Sequence, residues 1–233
     1  MAVAVDGASS AQTAGVDVNT LSWTSHTIAG ADRLLVVNVS IEETVESVLS
    51  VTYGLAALTF KGSQAGAGSF AKIETWFLIA PATGTGTILI TLAAAGLSDM
   101  VGGAVSFTGV HQTTPLGAFF GATATSTAPS VTVTDGVSGD MIIDGVAVDS
   151  GTQTATVGAG QTERWNRLIS GNVMGLGSTE AGAASVVMDW SLSVSRVWAA
   201  GAVAVKAAAG AAANALLLRL QTEGLVVGGG GLH

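Results

Sequence analysis

The chain has 233 residues, a formal charge of −8 and no cysteine; 48% of its side chains are hydrophobic and only 10% are charged. Eight scattered Lys and Arg residues disfavour a basic face for nucleic acid or anionic membrane, and the missing cysteines exclude disulfides and thiolate zinc sites. With charge so far below the roughly 25% of an average domain, the surface must be Thr, Ser, Gly and Ala, or be hidden against other subunits.

Met1-Ala2-Val3-Ala4-Val5-Asp6 has no basic lead and no long apolar run, so no secretory signal is expected here. Residues 16–28 carry Leu21, Trp23 and Ile28 among Thr, Ser and His and suit a strand. A turn at 29–32 delivers the chain into a strand over 33–39. Residues 48–53 and 58–61 read as a hairpin across Gly54, and 62–69 as a flexible Gly/Ala loop. Strands follow at 72–78 and 87–92. Residues 111–130, with Pro115, Pro129 and alternating Thr and Ala, read as a crossover with strand character only over 116–120. Phe119 and Phe120 stand there side by side and offer a glycan or partner contact. Further strands lie at 141–148 and 201–205.

Residues 98 apart match in character: Gly84 with Gly182, Ile88 with Val186, Leu92 with Trp190, and Gly103-Ala104-Val105 with Gly201-Ala202-Val203. Two similar β-halves predict one all-β domain over 1–207, a jelly-roll or Greek-key β-sandwich of two antiparallel sheets. Residues 208–233 form an Ala/Leu/Gly-rich tail whose Leu216, Leu217, Leu218, Leu220, Leu225, Val226 and Val227 read as a docking anchor. Residues 198–218 are weakly polar, but strand alternation in their first half argues against a membrane span.

Chemistry is sparse. His26, His111 and His233 lack the spacing of a metal site, and no nucleophile elbow or phosphate loop occurs. Asp135, Asp140, Asp144 and Asp149 lie close in sequence but read as turn residues rather than as a calcium loop. Glu74, Glu163 and Asp189 are the in-strand acids that a glycosidase reading would use. No catalytic residue, cofactor or metal is expected. Trp76, Trp190 and Trp198 alternate with apolar neighbours and read as core, whereas Trp165, among polar neighbours, reads as the exposed tryptophan.

Ser25-His26-Thr27, Asp32-Arg33-Leu34-Leu35-Val36-Val37, Trp76-Phe77-Leu78-Ile79-Ala80-Pro81, Val105-Ser106-Phe107-Thr108-Gly109-Val110 and the closing Trp198-Ala199-Ala200-Gly201-Ala202-Val203 together carry a resemblance. Over about 16–206 the chain resembles a β-sandwich module that recurs in tailed-phage structural proteins and bacterial surface proteins. The resemblance implies a non-enzymatic virion protein, made in the host cytoplasm, that decorates a capsid or belongs to a tail. Its partners would be sister copies, taken as a trimer, and capsid or tail proteins, with no nucleic acid or membrane. The rival expectation is a carbohydrate-binding module or adhesin, with glycan held around Trp165, His111 and Tyr53.

Overall fold

The computed structural model describes residues 1–15, 18–43, 47–68, 70–93, 98–149 and 151–208. Nine strands occupy the first half: β1 (Ala4–Gln12), β2 (Thr20–Ile28), β3 (Leu34–Glu43), β4 (Val48–Tyr53), β5 (Ala56–Ala57), β6 (Thr59–Ala65), β7 (Phe70–Ile79), β8 (Gly84–Leu92) and β9 (Met100–Thr108). Eight follow: β10 (Leu116–Ser126), β11 (Ser130–Val133), β12 (Met141–Asp149), β13 (Ala155–Val157), β14 (Thr162–Leu168), β15 (Val173–Ala181), β16 (Val186–Leu192) and β17 (Arg196–Val205). Every named pairing is antiparallel, and no helix occurs among the described residues. The all-β sandwich class expected from the sequence is therefore the observed one.

The number of layers differs from the two expected. Each half is itself a sandwich: β1-β9-β3-β7-β6 faces β2-β8-β4-β5, and β10-β17-β12-β15-β14 faces β11-β16-β13. Strand by strand, the two orders are the same, with β1 answering to β10, β3 to β12, β6 to β14 and β9 to β17; only β5 has no counterpart. Thus the 98-residue match marks a duplication of a complete sandwich.

The halves join through their five-stranded sheets, so these become inner layers covered on both faces. One core fills the first sandwich around Trp23, Val37, Ile88 and Ile90, and a second fills the other around Ile142, Leu176, Met188 and Trp190. A third, with Leu34, Val36, Val101, Phe107, Trp165 and Val203, lies between the halves. β3, β9, β12 and β17 are consequently buried along nearly their whole length, whereas β2, β8 and β16 alternate buried and exposed. Apolar residues at consecutive positions are what a sheet buried on both faces requires.

Glycine lets the inner sheets approach. A Cβ on Gly145 would fall 2.8 Å from the Asn38 side chain, and one on Gly175 would fall 2.5 Å from Val101. Asn38 Nδ2 donates to Asp144 O at 2.9 Å and Ser40 Oγ donates to Val146 O at 3.1 Å, so β3 and β12 are tied across the middle. β1 lies along β14, where Arg167 donates to Ser10, and β6 lies along β10. Exchange of the halves maps these contacts onto one another, which is the pattern of a two-fold self-contact fused into one chain. The bulky groups are distributed unequally. Phe119 stands where Ala8 stands in the first half, each opposite a valine of the next strand, and Trp165 stands where Gly62 does, each just after a bulge.

Two loops expected from the sequence are strands. The 111–130 crossover contains β10, which runs on to Ser126 paired with β17 and turns Ala122 and Ala124 onto the second core. The 62–69 loop begins as the end of β6, which joins the inner sheet beside β7, while β4 makes its hairpin with β5. Residues 198–205 belong to β17 rather than to a membrane span, and no helix among the described residues is long and apolar enough to cross one. From residue 209 onward the tail lies outside the described residues, and all seven anchor positions with it.

Candidate functional site

Among the described residues, the first sandwich is open at the edge where β6 and β7 face β4. A cleft of about 380 Å³ lies there, lined by Ser47, Val48, Phe60, Ser63, Lys72, Glu74 and Trp76. Lys72, Glu74 and Trp76 are spaced by two on β7 and so share one face of the strand. Register places Phe60 opposite Trp76 and Ser63 opposite Glu74, with a bulge between Phe60 and Gly62. The Phe60 ring meets Trp76 edge-on, with centroids 5.2 Å apart and planes at 62°, yet remains 48% exposed.

Glu74 is buried and charged, which requires partners. Its Oε1 lies 2.8 Å from Lys72 Nζ and accepts from Val48 N at 3.3 Å, while Oε2 accepts from Trp76 Nε1 at 3.2 Å. Side-chain exposures of 13% for Lys72 and 3% for Glu74 make this a largely desolvated pair. The cleft therefore combines an exposed aromatic face, a paired ammonium and carboxylate, and two serines.

The same place in the second half is built differently. Its bulge falls between Glu163 and Trp165, so Glu163 answers to Phe60 and Ser178 to Trp76. Asn166 donates to Ala155 O at 3.1 Å and to Glu163 Oε2 at 3.2 Å, tying β14 to β13 and closing the edge. Behind it, Asp144 is fully buried where β3 carries Val37. Ser178 N and Oγ lie 2.5 and 2.8 Å from Asp144 Oδ1, and Trp190 Nε1 donates to Oδ2 at 2.9 Å. Burial pushes the Asp144 carboxyl up to about 6, against the pull of these hydrogen bonds.

Trp165 is not the exposed tryptophan its neighbours suggested: it is 4% exposed. The bulge sends Glu163 and Asn166 to one side of β14 and Trp165 and Arg167 to the other, against the first half. Tyr53 is buried in the first core with its hydroxyl donating to Gly84 O at 2.8 Å. His111 accepts from Thr114 N at 3.0 Å near the junction of the halves. The glycan platform drawn from these three residues is therefore not assembled. Phe119 is half-buried over Gly62 and Gly201, and Phe120 is half-buried against the second core.

Several other ionisable residues are held by local partners. Asp140 lies 3.3 Å from Lys206 Nζ and accepts from Ala207 N at 2.8 Å, so it and the core residue Asp144 serve different structures. Among the described residues no cluster of His, Asp and Glu is arranged to hold a metal ion. Asp189 accepts from Gln161 Nε2 at 3.1 Å. His26 is buried, with Nδ1 2.8 Å from Ser9 Oγ, which also accepts from Trp23 Nε1 at 2.8 Å. Burial pushes His26 down to about 4, although Asp6 pulls it upward. His233 lies outside the described residues.

Sequence reasoning singled out Glu74 but not the cleft around it. The signal was present in Lys72-Ile73-Glu74-Thr75-Trp76, where two ionisable residues share the strand face of a core tryptophan. No protein-family model, curated protein or solved structure matches this chain.

Proposed function

We propose that this chain is a non-enzymatic structural protein acting through protein–protein contacts in a symmetric assembly, a tailed-phage virion in the reading that the resemblance implies. The observation that carries the assembly reading is the outer face of the first sandwich. Thr20, Ser22 and Thr27 on β2, Thr85, Thr87 and Leu89 on β8, and Leu49 and Thr52 on β4 point away from the core, and none is ionisable. Such a face loses little hydration energy when covered, because no charge leaves water. Leu49 and Leu89, 62% and 37% exposed, supply apolar area on it. Sister copies and capsid or tail proteins are the partners, and the tail leucines are a second anchor that the same experiment reaches.

The test is sedimentation of the full chain. The wild type is expected to sediment as one closed oligomer, a trimer on this reading. Leu49→Lys/Leu89→Lys should sediment as a monomer with an unchanged Tm, since exposed substitutions rarely move stability by more than about 0.5 kcal/mol. Deleting residues 209–233 separates the tail's share from that of the sheet. A wild type that stays monomeric at millimolar concentration removes the reading.

A further inference from the structure

We propose that the Phe60–Trp76 cleft is a saccharide site that takes a neutral pyranose unit. The duplication supplies an internal comparison. The same strands with the same bulge close the edge through Asn166 in the second half, yet among the described residues leave it open in the first, with an aromatic ring 48% exposed. Chain topology therefore does not dictate the opening; the residues at this edge do. A phenylalanine kept half in water beside a cleft is a candidate contact for the apolar face of a ligand.

The polar groups narrow the chemistry. Lys72 and Glu74 pair at 2.8 Å, so neither of them offers an unpaired charge to an ion. It presents an ammonium donor and a carboxylate acceptor side by side, with Ser47 and Ser63 completing the lining. A carboxylate offers about four acceptor positions, and Lys72, Val48 and Trp76 use three of those on Glu74. A sugar hydroxyl both donates and accepts, which suits that pair. The C–H face of a pyranose suits the Phe60 ring. The cleft volume of about 380 Å³ falls at the small end of the roughly 300–1,000 Å³ seen for ligand pockets, which fits one or two rings better than a long peptide. This inference is independent of the assembly reading, because the cleft lies at the open edge of the sandwich and the uncharged face lies outside β2, β8 and β4.

The test uses the full chain on an array of neutral saccharides built from glucose, galactose, mannose, N-acetylglucosamine and rhamnose, with titration of each retained sugar in solution. Phe60→Ala should weaken binding at least tenfold. Ser63→Trp, which fills the cleft from an exposed position, should abolish it. Leu55→Ala, on a fully exposed apolar residue outside the cleft, should leave it unchanged, and all three variants should keep the wild-type Tm. The proposal is overturned if no neutral sugar is retained at millimolar concentration, if Phe60→Ala and Ser63→Trp bind as the wild type does, or if only charged sugars or an apolar peptide are retained.

Discussion

Gly103→Val is expected to destabilise the protein by about 3 kcal/mol or more, the upper end of overpacking costs in a well-filled core. Gly103 lies on β9, and a Cβ there would fall 2.2 Å from the Trp165 ring of the other half. A Cβ on Gly177, which stands opposite Trp165 in its own sheet, would fall 2.0 Å from the same ring. The indole is thus confined between its own sheet and the facing one, and neither backbone can yield without parting the halves. For a chain of this length the loss corresponds to a Tm decrease of roughly 6–12 °C. Truncating the ring should relieve the overlap, so Gly103→Val/Trp165→Ala should be less damaging than the sum of its single changes by 1 kcal/mol or more. Additive single and double variants would mean that the ring does not occupy this gap.

His26 and Asp144 should give the protein two opposed pH dependences, each worth about 3 kcal/mol. His26 has its folded value lowered from 6.5 to about 4, so the unfolded chain holds the extra proton between those values. Its contribution is present above pH 6.5 and is lost as pH falls through 4. Asp144 has its folded value raised from 3.8 to about 6, so there the folded chain holds the extra proton. Its contribution is complete below pH 3.8 and is lost as pH rises through 6. Between pH 4 and 6 the two slopes nearly cancel in the wild type. Relative to wild type, His26→Gln should lose about 3 kcal/mol of unfolding free energy from pH 4 to 6.5, and Asp144→Asn should gain about 3 kcal/mol over the same range. Urea denaturation at four or five pH values reads both, and the slope matters rather than the offset. Curves parallel to wild type would show that neither group is held in its buried, neutral form.

Strand positions at 33–39, 72–78, 87–92, 141–148 and 201–205 were legible because apolar, β-branched runs end in Gly, Thr or Asp, and the structure places β3, β7, β8, β12 and β17 there. The duplication was legible as well, but its meaning was not. Leu34-Leu35-Val36-Val37 and Ile142-Ile143 are apolar at consecutive positions, and that feature, rather than alternation, announces a sheet covered on both sides. Trp165 was misplaced because a bulge reverses which side of β14 each residue faces, and one inserted residue leaves no mark in composition. The alternating Thr and Ala of β10 resembled a linker because alanine carries little hydrophobic signal, yet Ala122 and Ala124 suffice where the opposing sheet is close. Phe60 escaped notice since its partners Lys72, Glu74 and Trp76 come from the neighbouring strand, and only register brings them together.

The central claim is that two like sandwiches share one buried middle, and amide hydrogen exchange tests it most directly. Strands of that middle can exchange only by opening the whole molecule. The amides of β3, β9, β12 and β17 should therefore be the slowest in the chain and should report one common opening free energy, while β2, β8 and β16 in the outer layers exchange sooner. If β3 and β9 instead open with a free energy different from that of β12 and β17, the halves unfold separately and the shared middle does not hold them together.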